Sequence, residues 1–156
     1  MVLSFQYSTA AMTGFPKPII PIILFNAGDD INDPAKGLGK GMLVDSGADI
    51  TTISESTAEL LNIDLATLPV SNTNGIGGNN IPVKISMVTM VLQRGGEAYK
   101  FETRVQILDD SKLKYELLGR DFIFTRFDIT FRERNDRVEF MKKVDQGVEK
   151  ITPINR

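Results

Sequence analysis

Apolar residues along this chain gather in short runs separated by turn formers, a pattern that predicts many short strands. Residues 18–26 are rich in isoleucine and predict a strand. The stretch 27–34 is dense in Gly, Asp, Asn and Pro and predicts a surface loop. Residues 42–45 predict a second strand that ends at Ser46-Gly47, and the β-branched stretch 49–53 a third. One helix is expected: Ser54 can cap it, Glu55, Ala58, Glu59, Leu60 and Leu61 favour it, and Asn62 can stop it. Strands at 68–71 and 81–92 flank a Gly- and Asn-rich tip, 72–80, and together predict a long hairpin. Gln93-Arg94-Gly95-Gly96 turns the chain into a further strand at 99–108. Residues 109–111 form a loop, and 116–118 a short strand stopped by Gly119. Strands 127–132 and 137–143 are joined by the hairpin signal Arg134-Asn135-Asp136. Residues 145–156 are polar and are expected to form a flexible tail behind a single domain, 1–144. No internal repeat or low-complexity tract interrupts the series. The expected class is all-β, a barrel or sandwich.

Composition narrows the chemistry. The chain has 156 residues, 42% of them hydrophobic, enough for one core. Eighteen Lys and Arg oppose twenty Asp and Glu, a formal charge of −2 that gives no reason to expect nucleic acid as a partner. The longest apolar run, 18–25, contains two prolines and is far short of the roughly 20 residues a membrane helix needs. No basic residue precedes Lys17, which does not match a secretory signal, so a cytoplasmic location is expected. There is no histidine and no cysteine. That removes Ser-His-Asp and Cys-His catalysis, His- or Cys-type zinc sites and disulfides. Acid–base chemistry falls to carboxylates, Lys or Tyr.

The informative string is Met42-Leu43-Val44-Asp45-Ser46-Gly47-Ala48-Asp49. An apolar strand delivers a carboxylate to its end, a place where burial and partners can tune it. Ser46 adds a hydroxyl, and Gly47 allows close backbone approach. Asp-Ser-Gly is also ordinary turn chemistry, and a bare Asp-(Ser/Thr)-Gly arises by chance in about one chain in twenty of this length. Other candidates are poorer. Gly37-Leu38-Gly39-Lys40-Gly41 lacks the Ser or Thr and the leading Gly of a phosphate loop. Asp29, Asp30 and Asp33 lack the Gly and Glu of a calcium loop, so no metal or cofactor is expected.

The string resembles the active-site motif of aspartic peptidases of the retroviral type, the retropepsins, and of their bacterial and cellular relatives. Two further segments agree in order. Gly75-Ile76-Gly77-Gly78 resembles the tip of the retropepsin flap, and Leu117-Leu118-Gly119-Arg120-Asp121 resembles the apolar-Gly motif that supports the catalytic loop. The resemblance covers residues 17–141. The loop 27–40 is longer than in compact viral enzymes, Ser46 replaces the commoner Thr, and Asp121 stands where viral enzymes often carry Asn.

The resemblance implies a closed β-barrel with a flap hairpin and one or two short helices. It implies an aspartic endopeptidase whose catalytic residue is Asp45, with Ser46 and Gly47 setting its geometry. Gly47, Ala48, Asp49 and Gly75 to Gly78 would bind substrate, and Leu118, Gly119 and Arg120 would support the site. An ion pair between Asp49 and Arg120 is also implied. Such enzymes use two carboxylates sharing one proton, and this chain has one matching triplet. The second therefore comes from another copy, in a homodimer acting on peptide or unfolded protein, with best activity in mild acid. The terminal strands 3–7 and 138–142 are the candidates for pairing across the two-fold axis. Two other readings stay open: a catalytically weak dimerisation or peptide-binding module on the same fold, and an unrelated ligand-binding barrel in which Asp-Ser-Gly is a turn.

Overall fold

Strand 18–26 lacks polar alternation because both of its faces are covered. The computed structural model describes residues 1–9, 14–74 and 78–155. In it, β1 (Val2–Gln6) is followed by β2 (Ile19–Asn26). Ile20, Ile22 and Leu24 of β2 enter the main core, while Ile23 and Phe25 meet Val91 and Ala98 in a smaller one. β3 (Leu38–Val44) pairs antiparallel with β2, from Leu24 opposite Leu38 to Ile19 opposite Leu43. It begins earlier than the expected 42–45. Its Gly-rich first half has little strand propensity of its own and is held by β2.

β4 (Thr52–Ser54) runs straight into helix α1 (Glu55–Leu60). Residues 49–51, expected as strand, lie outside it. The Ser54 hydroxyl accepts the Thr57 N–H at 3.1 Å, the expected cap, and Asn62 takes a left-handed φ of 57° past the helix end. β5 (Val70–Asn74) and β6 (Asn80–Arg94) form a hairpin, with Asn74 opposite Asn80. β6 then turns through Gly95 and Gly96, at φ 60° and 85°, into β7 (Glu97–Leu108). Two successive positive φ angles are what a two-residue hairpin of type I′ requires, and glycine supplies them without steric cost.

The chain continues through β8 (Leu117–Leu118), α2 (Ile123–Arg126), β9 (Phe127–Arg132), β10 (Arg137–Lys142) and β11 (Val148–Ile151). Strands β7, β4, β8, β3, β2 and β6 are neighbours in that order, and β6 pairs back to β7. The result is a mostly β fold with short helices around a barrel-like ring. A separate sheet, β1–β10–β9, packs Leu3, Phe5, Val138 and Phe140 into the same core. Phe5 and Phe140 meet edge to face at 5.8 Å.

Two expectations need correction. The terminal strands pair with each other inside one chain, Val2 opposite Met141 and Gln6 opposite Arg137. β10 is paired with β1 on one edge and with β9 on the other, so of these two strands only β1 keeps an open edge among the described residues. The 145–156 stretch, expected as a flexible tail, contains β11, which pairs antiparallel with β7. Val148 is buried, and Gln93 bonds both the N–H and the carbonyl of Ile154 at 2.9 Å. Lys150 donates to the buried Glu97 carboxylate at 2.8 Å, and the Tyr99 hydroxyl donates to the same group at 3.2 Å. The segment reads as polar because its order comes from partners on β7.

That staple predicts a pH dependence. The Lys150 hydrogen bond, against the opposing effect of burial, holds Glu97 below its ordinary value of 4.5. A depressed carboxylate stabilises the fold above its unfolded value and loses that contribution as pH falls through the folded one. Glu97→Gln is therefore expected to melt below the parent at neutral pH. In thermal melts the gap should hold down to about pH 4.5 and close below it. A gap that persists undiminished in strong acid would show that the charge on Glu97 contributes nothing.

Candidate active site

Met42 and Val44 point their side chains into the core, so β3 ends with Asp45 as the first residue at its mouth. The Asp45 N–H donates to the Leu118 carbonyl at 3.0 Å, continuing the parallel β3–β8 pairing one residue beyond Val44 and Leu118. The Gly47 N–H then donates to Asp45 Oδ1 at 2.8 Å, and the Ala48 N–H to the Asp45 carbonyl at 3.3 Å. This tight turn presents a half-buried carboxylate with one oxygen tethered by a main-chain donor. Its other oxygen accepts no hydrogen bond from the described residues. A Cβ on residue 47 would sit 3.2 Å from Asp45 Oδ1, so glycine gives this turn its closeness. Ser46 is exposed, and its hydroxyl bonds to none of the described residues.

The support beneath the turn is a crossing of backbones. Arg120 N–H donates to the Ala48 carbonyl and Asp121 N–H to the Asp49 carbonyl, both at 2.8 Å. Gly119 lies against the strap 50–51 and donates its N–H to Thr51 Oγ1 at 3.1 Å. A Cβ on residue 119 would fall 2.4 Å from the Ile50 carbonyl carbon and 2.7 Å from Thr51 N. Leu118, Gly119 and Arg120 thus hold the Asp45 turn through their backbones. The Arg120 and Asp49 side chains approach to 3.8 Å, both largely exposed. The ion pair implied by the resemblance is thus present as one long contact, which is worth little in water.

Two residues near the site carry no signal in the sequence. Arg104 donates to Asp121 at 2.7 Å, closer than the Arg120–Asp49 pair. In sequence it is one more polar residue on the outward face of β7. Glu116 is buried, and one of its oxygens accepts from Ser54 N–H at 3.2 Å, Ser54 Oγ at 3.0 Å and Thr57 Oγ1. Its other oxygen has no hydrogen bond among the described residues, and Lys40 Nζ lies 3.8 Å from it. Through its main chain, Glu116 also accepts from Leu43 N–H at 2.8 Å. It ties the start of α1 to the strand that delivers Asp45.

A cleft of about 640 Å³ opens beside Asp45. Ala48, Asp49 and Ile50 line one side. Thr73 and Asn74 of β5 and Ile81 of β6 line another, so both legs of the hairpin face the Asp45 turn. Gly75, Ile76 and Gly77, expected at the hairpin tip, lie outside the described residues, and Gly78 is exposed at φ 78°. A second depression of about 590 Å³, bordered by Asp29, Lys100 and Glu149, lies away from Asp45 and contains none of the motif residues. Among the described residues, no cluster of three acidic side chains is arranged to hold a metal ion. No described helix is long and apolar enough to cross a membrane.

A family model described as aspartyl protease matches residues 31–122, more than half of the chain. No curated protein matches significantly. Among solved structures, a retropepsin-like aspartic protease from Rickettsia conorii superposes with a TM-score of 0.60 at 17% identity, covering 90% of this chain and 89% of that one. EIAV protease in complex with the inhibitor HBY-793 gives a TM-score of 0.48 at 19% identity, covering 76% and 93%. The Rickettsia likeness is one of fold.

Proposed function

The chain belongs to the aspartyl protease family, and on that premise we propose that it is an aspartic endopeptidase that completes its site only when two copies meet. The observation that carries this reading is the Asp45 carboxylate. One oxygen is fixed by Gly47 N–H, the other is uncommitted, and the group sits beside a cleft faced by both legs of a hairpin. Asp45 of a second copy supplies the partner. Asp145-Gln146-Gly147, the nearest resemblance to a second motif, has its carboxylate paired with Lys142 at 2.5 Å. A two-fold axis through the Asp45 turns sets the two carboxylates side by side. The exposed Ser46 hydroxyls, without partners in their own chain among the described residues, brace the turns across the axis.

Two carboxylates set side by side repel each other when both are ionised, so the pair shares one proton. The ionised member takes a proton from a water held between them. The water oxygen attacks the scissile carbonyl carbon, and the protonated member hydrogen-bonds the developing oxyanion. Collapse of the tetrahedral species passes a proton to the leaving nitrogen. The peptide lies extended as an added strand, contacted by the backbone of residues 47–49 below and by the hairpin above, its side chains alternating into the clefts. Activity is greatest in mildly acidic solution, where the pair keeps its single proton.

The test is concentration. Specific activity on an unfolded protein substrate is expected to fall on dilution, in step with a dimer-to-monomer transition followed by sedimentation. A chain that is monomeric and keeps full activity per molecule would overturn the two-copy site. Binding of peptide without cleavage would favour a catalytically weak peptide-binding module.

A further inference from the structure

We propose that Lys112 makes the cleft beside Asp45 select a substrate side chain that ends in a carboxylate. The inference rests on the peptidase reading above and specifies its substrate. The walls of the cleft are largely apolar, with Ile50, Ile81, Leu108 and Leu113 on them. Such walls discriminate weakly, because one methylene more or less changes affinity by only about tenfold to a few hundredfold. Polar groups in an apolar cleft discriminate more strongly when binding would leave them unpaired. Beside Asp45, Asp49, Thr73 and Asn74, the polar lining of this cleft has Gln106, which donates to Thr52 Oγ1 at 2.7 Å, and one cation, Lys112.

Lys112 forms no ion pair within 4.0 Å among the described residues. The two acids of its own turn are engaged elsewhere. Asp109, in the same turn, accepts the Ser111 N–H at 2.9 Å and its hydroxyl at 2.5 Å, and Lys112 acts on it less than Ser111 does. Asp110 turns toward α1 and accepts Ser56 N–H at 3.1 Å together with the Ser56 hydroxyl. On the cleft wall, Asp49 has only the long Arg120 contact at 3.8 Å and Asp45 keeps one oxygen uncommitted beside its Gly47 bond, and neither forms an ion pair with Lys112 among the described residues. A glutamate side chain matches this lining: its methylenes lie against Leu108 and Leu113, and its carboxylate meets the ammonium. Lys112 is exposed in the free chain, and a neutral side chain seated against its ammonium displaces water without supplying a counter-charge. Glutamine is therefore the poorer occupant despite its equal size.

The experiment uses pairs of labelled peptides with a central apolar pair and Glu or Gln at each flanking position in turn. Binding to the Asp45→Asn protein is measured by fluorescence anisotropy, and kcat/KM is measured on the parent. At one position Glu is expected to be preferred about tenfold near pH 6. The ratio should fall toward one in Lys112→Met, reverse in favour of a Lys-containing peptide in Lys112→Glu, and fade as pH drops through about 4.3, where the substrate carboxyl is protonated. Peptides that bind without a Glu preference, or a preference that survives Lys112→Met, overturn the inference. Binding with the predicted preference but no cleavage by the parent counts against the peptidase reading alone, and absence of any binding overturns both.

Discussion

Asp45→Asn is expected to lower kcat/KM for peptide cleavage by about a thousandfold or more while leaving the fold intact. The amide is the same size as the carboxyl, and its oxygen can still accept the Gly47 N–H that now reaches Asp45 at 2.8 Å. What it cannot do is ionise, take a proton from water, or share one with a second carboxylate. General acid–base catalysis by one group is worth about a hundredfold to ten-thousandfold. In a symmetric dimer the substitution removes both groups at once, and effects of groups that act as a unit do not add. Steady-state kinetics on an unfolded protein or apolar-centred peptide measures the loss. A thermal melt within a few degrees of the parent shows that it is chemical. Parental activity in the variant would remove Asp45 from the mechanism.

Gly119→Ala is expected to be the most damaging small change in the chain. The new methyl would stand 2.4 Å from the Ile50 carbonyl carbon and 2.7 Å from Ile50 O and Thr51 N. Those atoms are backbone, so no side chain can rotate away. The strap 50–51 or the 118–120 segment must shift. Overpacking of a tight interior costs about 1–3 kcal/mol and more where backbone must move, so a loss of about 3 kcal/mol or more is expected. The effect reaches the site, because the neighbouring Leu118 carbonyl is the acceptor for Asp45 N–H. Activity of the folded fraction should fall as well. Gly39→Ala, where a Cβ meets nothing within 4 Å, is the matched control and should stay within about 1 kcal/mol of the parent. Chemical denaturation of the two variants side by side decides the matter. Equal midpoints would show that the crossing of 119 over 50–51 has room for a methyl group.

Local chemistry made much of this readable in advance. Ser54 caps α1 because a hydroxyl three residues before a free N–H can do so in any context. Gly95-Gly96 turns β6 into β7 because successive positive φ angles admit few other residues. The apolar run into Asp45-Ser46-Gly47 marked a carboxylate at a strand mouth, and the absence of histidine and cysteine removed the rival chemistries before any fold was in view.

Other features depend on partners distant in the chain. The first half of β3 and the whole of β11 are strands because β2 and β7 offer open edges, which no local propensity records. The contact between Arg104 and Asp121 and the burial of Glu116 against α1 arise where segments far apart in sequence cross. The terminal strands satisfy each other within one chain, a choice set by Leu3, Phe5, Val138 and Phe140 sharing one core. Backbone preferences, turn chemistry and the identity of a reactive group are local and can be read residue by residue. Which edge is covered, which charge finds a partner and how closely Gly119 lies on the Asp45 loop depend on packing. Packing energies belong to the folded chain as a whole, because each contact exists only once the others have brought it within reach.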